Sequence, residues 1–236
     1  MSEVSAKLGS RMEISRIQKL ISDRMIQSKR TQPCVYLTAR ADVTEMSKIR
    51  RPLSKSTGVR ISTNDFFLLA MAKAVEKYPL FAGVFKGDYV EIADNINIGL
   101  AVASPGGLVV PVIKNANQKT LIEISNSSAA IIAKARDGKL SLGDLEGACS
   151  TLTALGMFGI DSFLAIPSID QASILSAGKI IDVAVGGDDG EIVTEKQIEF
   201  GLSVDNRIIE AEYAAKFLNE VVEMVESPES LCDGLK

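Results

Sequence analysis

LSVDNRIIEAEYAAKFL, residues 202–218, changes its period halfway along. Leu202 and Val204 alternate with Ser203 and Asp205, the pattern of a strand with one buried face. Beyond Asn206 the apolar residues fall at Ala214, Phe217, Leu218, Val221 and Val225. That is the stripe of an amphipathic helix over about 210–226. A strand thus enters a helix through the polar turn Asp205-Asn206-Arg207. Such a unit needs a sheet beside the strand and a core beneath the helix.

Reading outward, ASILSAGKIIDVAVGG (172–187) and KQIEFGLSV (196–204) are expected to be two strands. They pair across the turn Gly186-Gly187-Asp188-Asp189-Gly190. CSTLTALGMFGI (149–160) reads as a strand running into a glycine turn, and DGKLSLGDLEG (137–147) as a turn plus a short helix. A helix over 119–136 is expected to bury Leu121, Ile124, Ile131 and Ile132. INIGLAVASPGGLVVPVIKNA (96–116) reads as two strands broken at Ser104-Pro105-Gly106-Gly107, and GVFKGDYVEI (83–92) as a hairpin turning at Lys86-Gly87-Asp88. FFLLAMAKAVEKY (66–78) is apolar nearly all round and follows the cap Ser62-Thr63-Asn64-Asp65, so it reads as a buried helix closed by Pro79. A helix over 43–57 stops at Gly58, and CVYLTARAD (34–42) alternates as a strand. Ile14, Ile17, Ile21 and Met25 mark a first amphipathic helix that ends before Pro33.

The 236 residues show no internal repeat and no break in composition, so the expectation is one domain over 13–236 behind a mobile segment, 1–12. Strands and helices interleave without strict alternation. That favours an α+β fold, a mixed sheet with helices on one face. The net charge of −4 argues against a nucleic-acid-binding surface. There is no apolar run long enough to span a membrane and no apolar secretory leader. Cys34, Cys149 and Cys232 are scattered and odd in number, which points to a reducing compartment and away from disulfides. Without histidine or a CxxC pair, a metal site is not expected.

Four stretches in order carry a resemblance: RIQKLISDRMIQSKRTQPCVYLTARADVT (16–44), ISTNDFFLLAMAKAVEKYP (61–79), NIGLAVASPGGLVVPVIKNA (97–116) with ARDGKL (135–140), and LTALGMFGIDSFLAIPSIDQASILSAG (152–178) with the stretch quoted first. Together they resemble the catalytic core of the dihydrolipoyl acyltransferases of 2-oxo acid dehydrogenase complexes. The resemblance implies a chloramphenicol-acetyltransferase-like two-layer sandwich, assembled into trimers with the active site between subunits, and often into larger cages. It implies coenzyme A and lipoamide as substrates, no metal, and a bacterial cytoplasmic or mitochondrial matrix setting. No lipoyl domain or peripheral-subunit-binding domain is recognisable in this chain.

The family moves an acyl group between two thiols. The site must take a proton from the attacking thiol and stabilise the tetrahedral oxyanion. The resemblance places Thr153, in TLTALG, at the oxyanion hydroxyl, beside a departure at Ala154. As a plain sequence feature Thr153 is equally a packed strand residue. The base belongs to the motif D-H-R-x-x-D/N-G, and here Asn206 stands in the histidine's place, Glu210 in that of Asp or Asn, and Ala211 in that of glycine. An amide has no useful basicity near neutral pH. A carboxylate such as Glu210, with a free pKa about 4.3 against about 6.5 for imidazole, takes the thiol proton at a cost roughly 3 kcal/mol higher, on the order of 10² in rate. Burial narrows that gap by raising the carboxylate pKa. Asp205 and Arg207 read either as braces of the turn or as a surface ion pair of little weight. Cys34 is expected to be packed rather than reactive.

Three readings follow. One is a catalytically silent core-forming subunit, similar to the family's protein X, scaffolding through copies of itself or an active paralogue. The second is a working acyltransferase with a weaker base. The third is a coenzyme A-binding module. The departures gather at the base, while every packing stretch is intact, which favours the first.

Overall fold

A computed structural model describes residues 8–187 and 190–232, without the side chain of Ile17. The N-terminal segment expected over 1–12 thus falls mostly on 1–7, outside the described residues, as do Asp188 and Asp189 of the expected turn. Ser15 and Gln18 form a reciprocal capping box that opens α1, Arg16–Thr31. Ile14, expected in that helix, therefore lies before its cap and is exposed. Strand β1, Cys34–Asp42, follows Pro33, and α2, Thr44–Thr57, ends at Gly58 in the left-handed region, φ 69°. A second box between Ser62 and Asp65 opens α3, Thr63–Lys77, in which ten residues are buried. The hairpin of β2, Gly83–Phe85, and β3, Val90–Ile92, turns at Gly87 as expected.

The stretch expected as two strands forms four: β4, Ile98–Leu100; β5, Val102–Ser104; β6, Gly107–Val109; and β7, Val112–Ile113. Pro111 brings no N–H to the ladder, so pairing lapses between β6 and β7. Strands β5 and β6 close a small hairpin of their own, while β4 and β7 join the main sheet. Helix α4, Leu121–Arg136, buries Leu121, Ile124 and Ile131, with Ile132 only half-covered. Strand β8, Ser150–Ala154, ends in a short turn at Gly156.

The single strand expected over 172–187 is two, β9, Ser173–Ala177, and β10, Ile181–Gly186. The break has a steric cause. At Gly178 the backbone of Asp161 crosses so closely that a Cβ would collide with its carbonyl, and Lys179 N–H donates to Ile160 O at 2.8 Å. Both halves pair with the long β11, Ile192–Asp205, as the expected hairpin requires. Helix α5, Ala211–Glu226, closes the fold with all five expected apolar residues buried.

The main sheet runs β1-β11-β9-β8-β4-β7, with β10 beside the outer part of β11. Its β4–β8 and β8–β9 pairs are parallel and the rest antiparallel, so it is mixed. Helix α3 packs against α5, α4 and α2, and its Phe67 meets Phe200 of the sheet edge to face at 5.0 Å. Phe81 stacks on Phe217 at 3.6 Å, fixing α5 to the end of α3. Each such buried aromatic contributes about 1.5–3 kcal/mol. The strand residues between the core residues face the other side of the sheet. That side is lined by small and hydroxylated residues, including Thr151, Ser176, Gly201 and Ser203, under the passing segment 160–171. Among the described residues no helix is long and apolar enough to cross a membrane.

Candidate active site

The turn 206–208 hangs from the end of β11. Asp205, its last strand residue, is 1% exposed. Both carboxylate oxygens accept from Arg207 Nε, at 2.9 and 3.1 Å, and one also accepts from the Arg207 backbone N–H at 3.0 Å. Gln32 Nε2 donates to Asp205 at 3.4 Å and to Gln171 O at 3.1 Å, while Gln32 Oε1 accepts from Ser28 Oγ. The Arg207 guanidinium lies 4.3 Å from the Phe85 ring centroid, a cation–π seat. The hydrogen bond with Asp205 pushes the Arg207 pKa further up. The pair is therefore no loose surface contact. Asp205 carbonyl oxygen accepts from Ile208 and Ile209 N–H, both at 3.0 Å, and closes the turn.

Asn206 sits at the apex of this braced loop. Its backbone N–H donates to Pro33 O at 2.9 Å, and its side chain is exposed. Among the described residues no group hydrogen-bonds to its amide. Glu210 is exposed and stands at the N-cap of α5 without making a side-chain cap bond. The buried Ile209 separates it from the turn. Ala211 is the first residue of α5, where alanine fits without strain. Cys34 pairs in register with Asp205, but its thiol pKa is pushed up, first by burial and then by the Asp205 charge. It holds its proton more tightly than a free thiol.

Thr153 is elsewhere in the same chain. It pairs with Ser176 of β9, which pairs with Gly201 of β11, five residues before Asn206. Five residues of strand and two strand spacings put Thr153 and Asn206 roughly 19 Å apart. The sequence assigned both to one reaction, and a single chain does not bring them together. Thr153 is 9% exposed, on the face opposite the core-facing Leu152.

One feature was missed. A cavity of about 1100 Å³ opens between α2 and the β10–β11 hairpin, walled by Lys48, Arg50, Arg51, Lys55 and Lys196. Asp182 is the one carboxylate in its lining, and it is paired with Lys196. Buried Arg50 Nε has no hydrogen-bond partner among the described residues. At Thr63 and Ile180 this cavity meets a second, of about 370 Å³, which reaches Ala154 on the helix-covered face of β8, the side opposite Thr153. The N-terminus of α3, with the Ser62–Asp65 capping box in its first turn, lies where they meet. The signal was present in KIRRPLSK (48–55), whose Lys48, Arg51 and Lys55 fall on one helix face.

Sheet and helix layer together define a two-layer sandwich of the chloramphenicol acetyltransferase type. A chloramphenicol acetyltransferase superposes with a TM-score of 0.53 at 14% identity, a likeness of fold alone. The chain belongs to the family described as 2-oxoacid dehydrogenases acyltransferase (catalytic domain), whose model matches residues 7–232. It is 36% identical over 216 residues to the dihydrolipoyllysine-residue acetyltransferase component of the Rickettsia felis pyruvate dehydrogenase complex, covering 90% of this chain and 52% of that protein. It is 34% identical over 218 residues to the mitochondrial pyruvate dehydrogenase protein X component of Mus musculus, covering 91% and 43%. The chain thus spans about half the length of the curated relatives it matches.

Among solved structures, the cubic core of a pyruvate dehydrogenase multienzyme complex gives a TM-score of 0.88 at 28% identity, covering 96% of each chain. The Azotobacter vinelandii dihydrolipoamide acetyltransferase gives 0.89 at 26%, covering 94% and 93%. That structure accompanied work on the role of a serine, a histidine and an asparagine in its catalytic mechanism. The serine and histidine stand 52 positions apart there, and the asparagine four beyond. Thr153, Asn206 and Glu210 show nearly the same spacing here.

Proposed function

We propose that this chain is a core-forming, catalytically silent homologue of dihydrolipoyl acyltransferase within a pyruvate-type 2-oxo acid dehydrogenase complex. It keeps a coenzyme A groove and an oxyanion hydroxyl and has no base. The observation that carries this is the turn itself. Asp205 and Arg207 hold it in place, and the side chain presented at its apex is an amide. Neither exposed Glu210 nor the proton-retaining Cys34 is placed to substitute.

The roughly 19 Å between Thr153 and Asn206 favours a site built from two chains, the Asn206 turn of one against the Thr153 face of the next. Acyl transfer needs base and oxyanion donor around the same few atoms. Exposed Met157, Phe158, Leu164 and Ile166, with Leu20 and Ile26 of α1, supply apolar surface for such a trimer. The trimer is self-assembled or shared with an active paralogue, in the bacterial cytoplasm or the mitochondrial matrix.

The basic groove favours retained coenzyme A binding, because the adenosine diphosphate end of that molecule is polyanionic and Arg51 and Lys55 line the groove. Calorimetry with coenzyme A is expected to show saturable binding by the wild-type assembly. Arg51→Glu with Lys55→Glu should weaken it by about tenfold to a hundredfold, the loss of one or two charge-assisted contacts. Acetyl-CoA and dihydrolipoamide added together should give at most slow transfer, limited by the thiolate already present in solution. Brisk turnover would instead select the working-acyltransferase reading.

A further inference from the structure

Among the described side chains of α1, Ser28 alone is buried. Polar bonds, rather than apolar packing, hold the end of this helix to the fold. Ser28 Oγ lies 2.7 Å from both Pro167 O and Gln32 Oε1 and shares its proton between them. Gln32, the C-cap residue, donates its backbone N–H to Ser28 O at 2.9 Å. Its side chain is 4% exposed, and Nε2 meets acceptors alone. These are Ser168 O at 3.3 Å, Ile169 O at 3.4 Å, Gln171 O at 3.1 Å and Asp205 Oδ2 at 3.4 Å. Two amide protons thus serve four oxygens, and the Ser28 bond fixes which end of the amide faces them.

The bonds between Asp205 and Arg207 close the turn on itself. Among the described residues, Gln32 is the one side chain from outside the turn that donates to the Asp205 carboxylate. Pro33, next in the chain, accepts from Asn206 N–H at 2.9 Å, so Gln32 and Pro33 grip the turn at two points. The segment that Gln32 also holds is itself anchored, because Thr151 Oγ1 of β8 donates to Gln171 Oε1 at 2.6 Å. From this we infer that Gln32 is a positioning residue of the site turn. Through Asp205 it ties the backbone that presents residue 206 to the end of α1 and to the segment 167–171. A turn can be held whatever side chain it presents, so this goes beyond the proposed function and stands apart from it.

The test replaces Gln32 in two ways. Gln32→Met keeps the length of the side chain without its polar atoms. Gln32→Glu keeps the shape and the acceptor for Ser28, but turns a second oxygen toward the four acceptors. Ser28→Ala, a milder change, releases the far end of the amide. Backbone hydrogen exchange of the full chain at pH 7 is read residue by residue by mass spectrometry. The reporters are Asn206, Arg207, Ile208 and Ile209, whose N–H groups donate to Pro33 O, the Asp205 carboxylate and Asp205 O. The amides of 200–204, within β11 and flanked by β1 and β9, are the internal reference. Acetyl transfer is compared between Asn206→His and Asn206→His/Gln32→Met.

Relative to the β11 reference, exchange at 206–209 should rise about tenfold to a hundredfold in Gln32→Met and Gln32→Glu, the loss of a hydrogen bond to a charged group. Ser28→Ala should raise it by about twofold to tenfold, the loss of a neutral one. With the imidazole in place, kcat should fall about tenfold on adding Gln32→Met, while KM for acetyl-CoA holds, because its groove lies on α2 and the β10–β11 hairpin. Turn exchange that stays at the wild-type rate in either Gln32 variant overturns the inference, even where 167–171 loosens, because Gln32 would then anchor that segment alone. A rise shared equally by turn and reference also overturns it, since that reports a less stable fold and no local hold. So does an unchanged kcat beside a loosened turn. Where Asn206→His is itself inactive, the exchange decides alone, so failure of this inference and failure of the proposed function are read separately.

Discussion

Asn206→His raises acetyl transfer from acetyl-CoA to dihydrolipoamide at pH 7 by about 10²–10⁴-fold, the usual contribution of a positioned general base. The expectation follows from how little else has to change. Asn206 already sits on a loop whose backbone is tied to Pro33, to the Asp205 carbonyl and to Arg207. Its side chain is exposed, so an imidazole enters without displacing core. Glu210 and Ala154 still depart from the family pattern, which places the result toward the lower end. Steady-state kinetics should show the gain in kcat, with coenzyme A affinity unchanged, because the groove lies on α2 and the β10–β11 hairpin. A variant that folds and assembles as wild type yet gains nothing would mean that the remaining half of the site is also dead.

Asp205→Ala is expected to cost about 2–3 kcal/mol of stability, the range for losing charge-assisted hydrogen bonds to a guanidinium that is itself a quarter exposed. The carboxylate is 1% exposed and accepts from Arg207 and Gln32. Without it, the partly buried guanidinium keeps only its place over Phe85, and Gln32 loses one acceptor. Urea unfolding should show a lower midpoint with unchanged slope. In an Asn206→His background the same change should abolish the gained activity while coenzyme A still binds. A loss below about 1 kcal/mol, the usual worth of an exposed pair, would show that Asp205 does not brace the turn.

Most of the fold was legible because it is written in local periodicity. The cap at Ser62, the stop at Gly58 and the stripe of α5 each carry a residue-level cause, and the structure places them within a few residues of expectation. What was not legible is non-local. The break between β9 and β10 comes from the Asp161 backbone pressing on Gly178, and no property of 172–187 alone announces it. The lapse at Pro111 was readable in principle, since a strand proline removes a donor.

The candidate site divides in the same way. Its residue types and spacing were visible in TLTALG and VDNRIIEA, and so was the missing imidazole. The distance between Thr153 and Asn206 was not, because it depends on the β8–β9–β11 register. The groove combines a helix face with a distant hairpin, and nothing in KIRRPLSK alone shows that Lys196 lies across from it.

The claim that nothing in this chain removes the thiol proton is tested most directly by the pH dependence of whatever slow transfer the wild-type homomer supports. With no protein base, the rate should climb about tenfold per pH unit up to the thiol pKa near 8.5, reporting only thiolate already present in solution. A rate that levels off between about pH 6 and 7.5, governed by a group on the protein, would contradict the account.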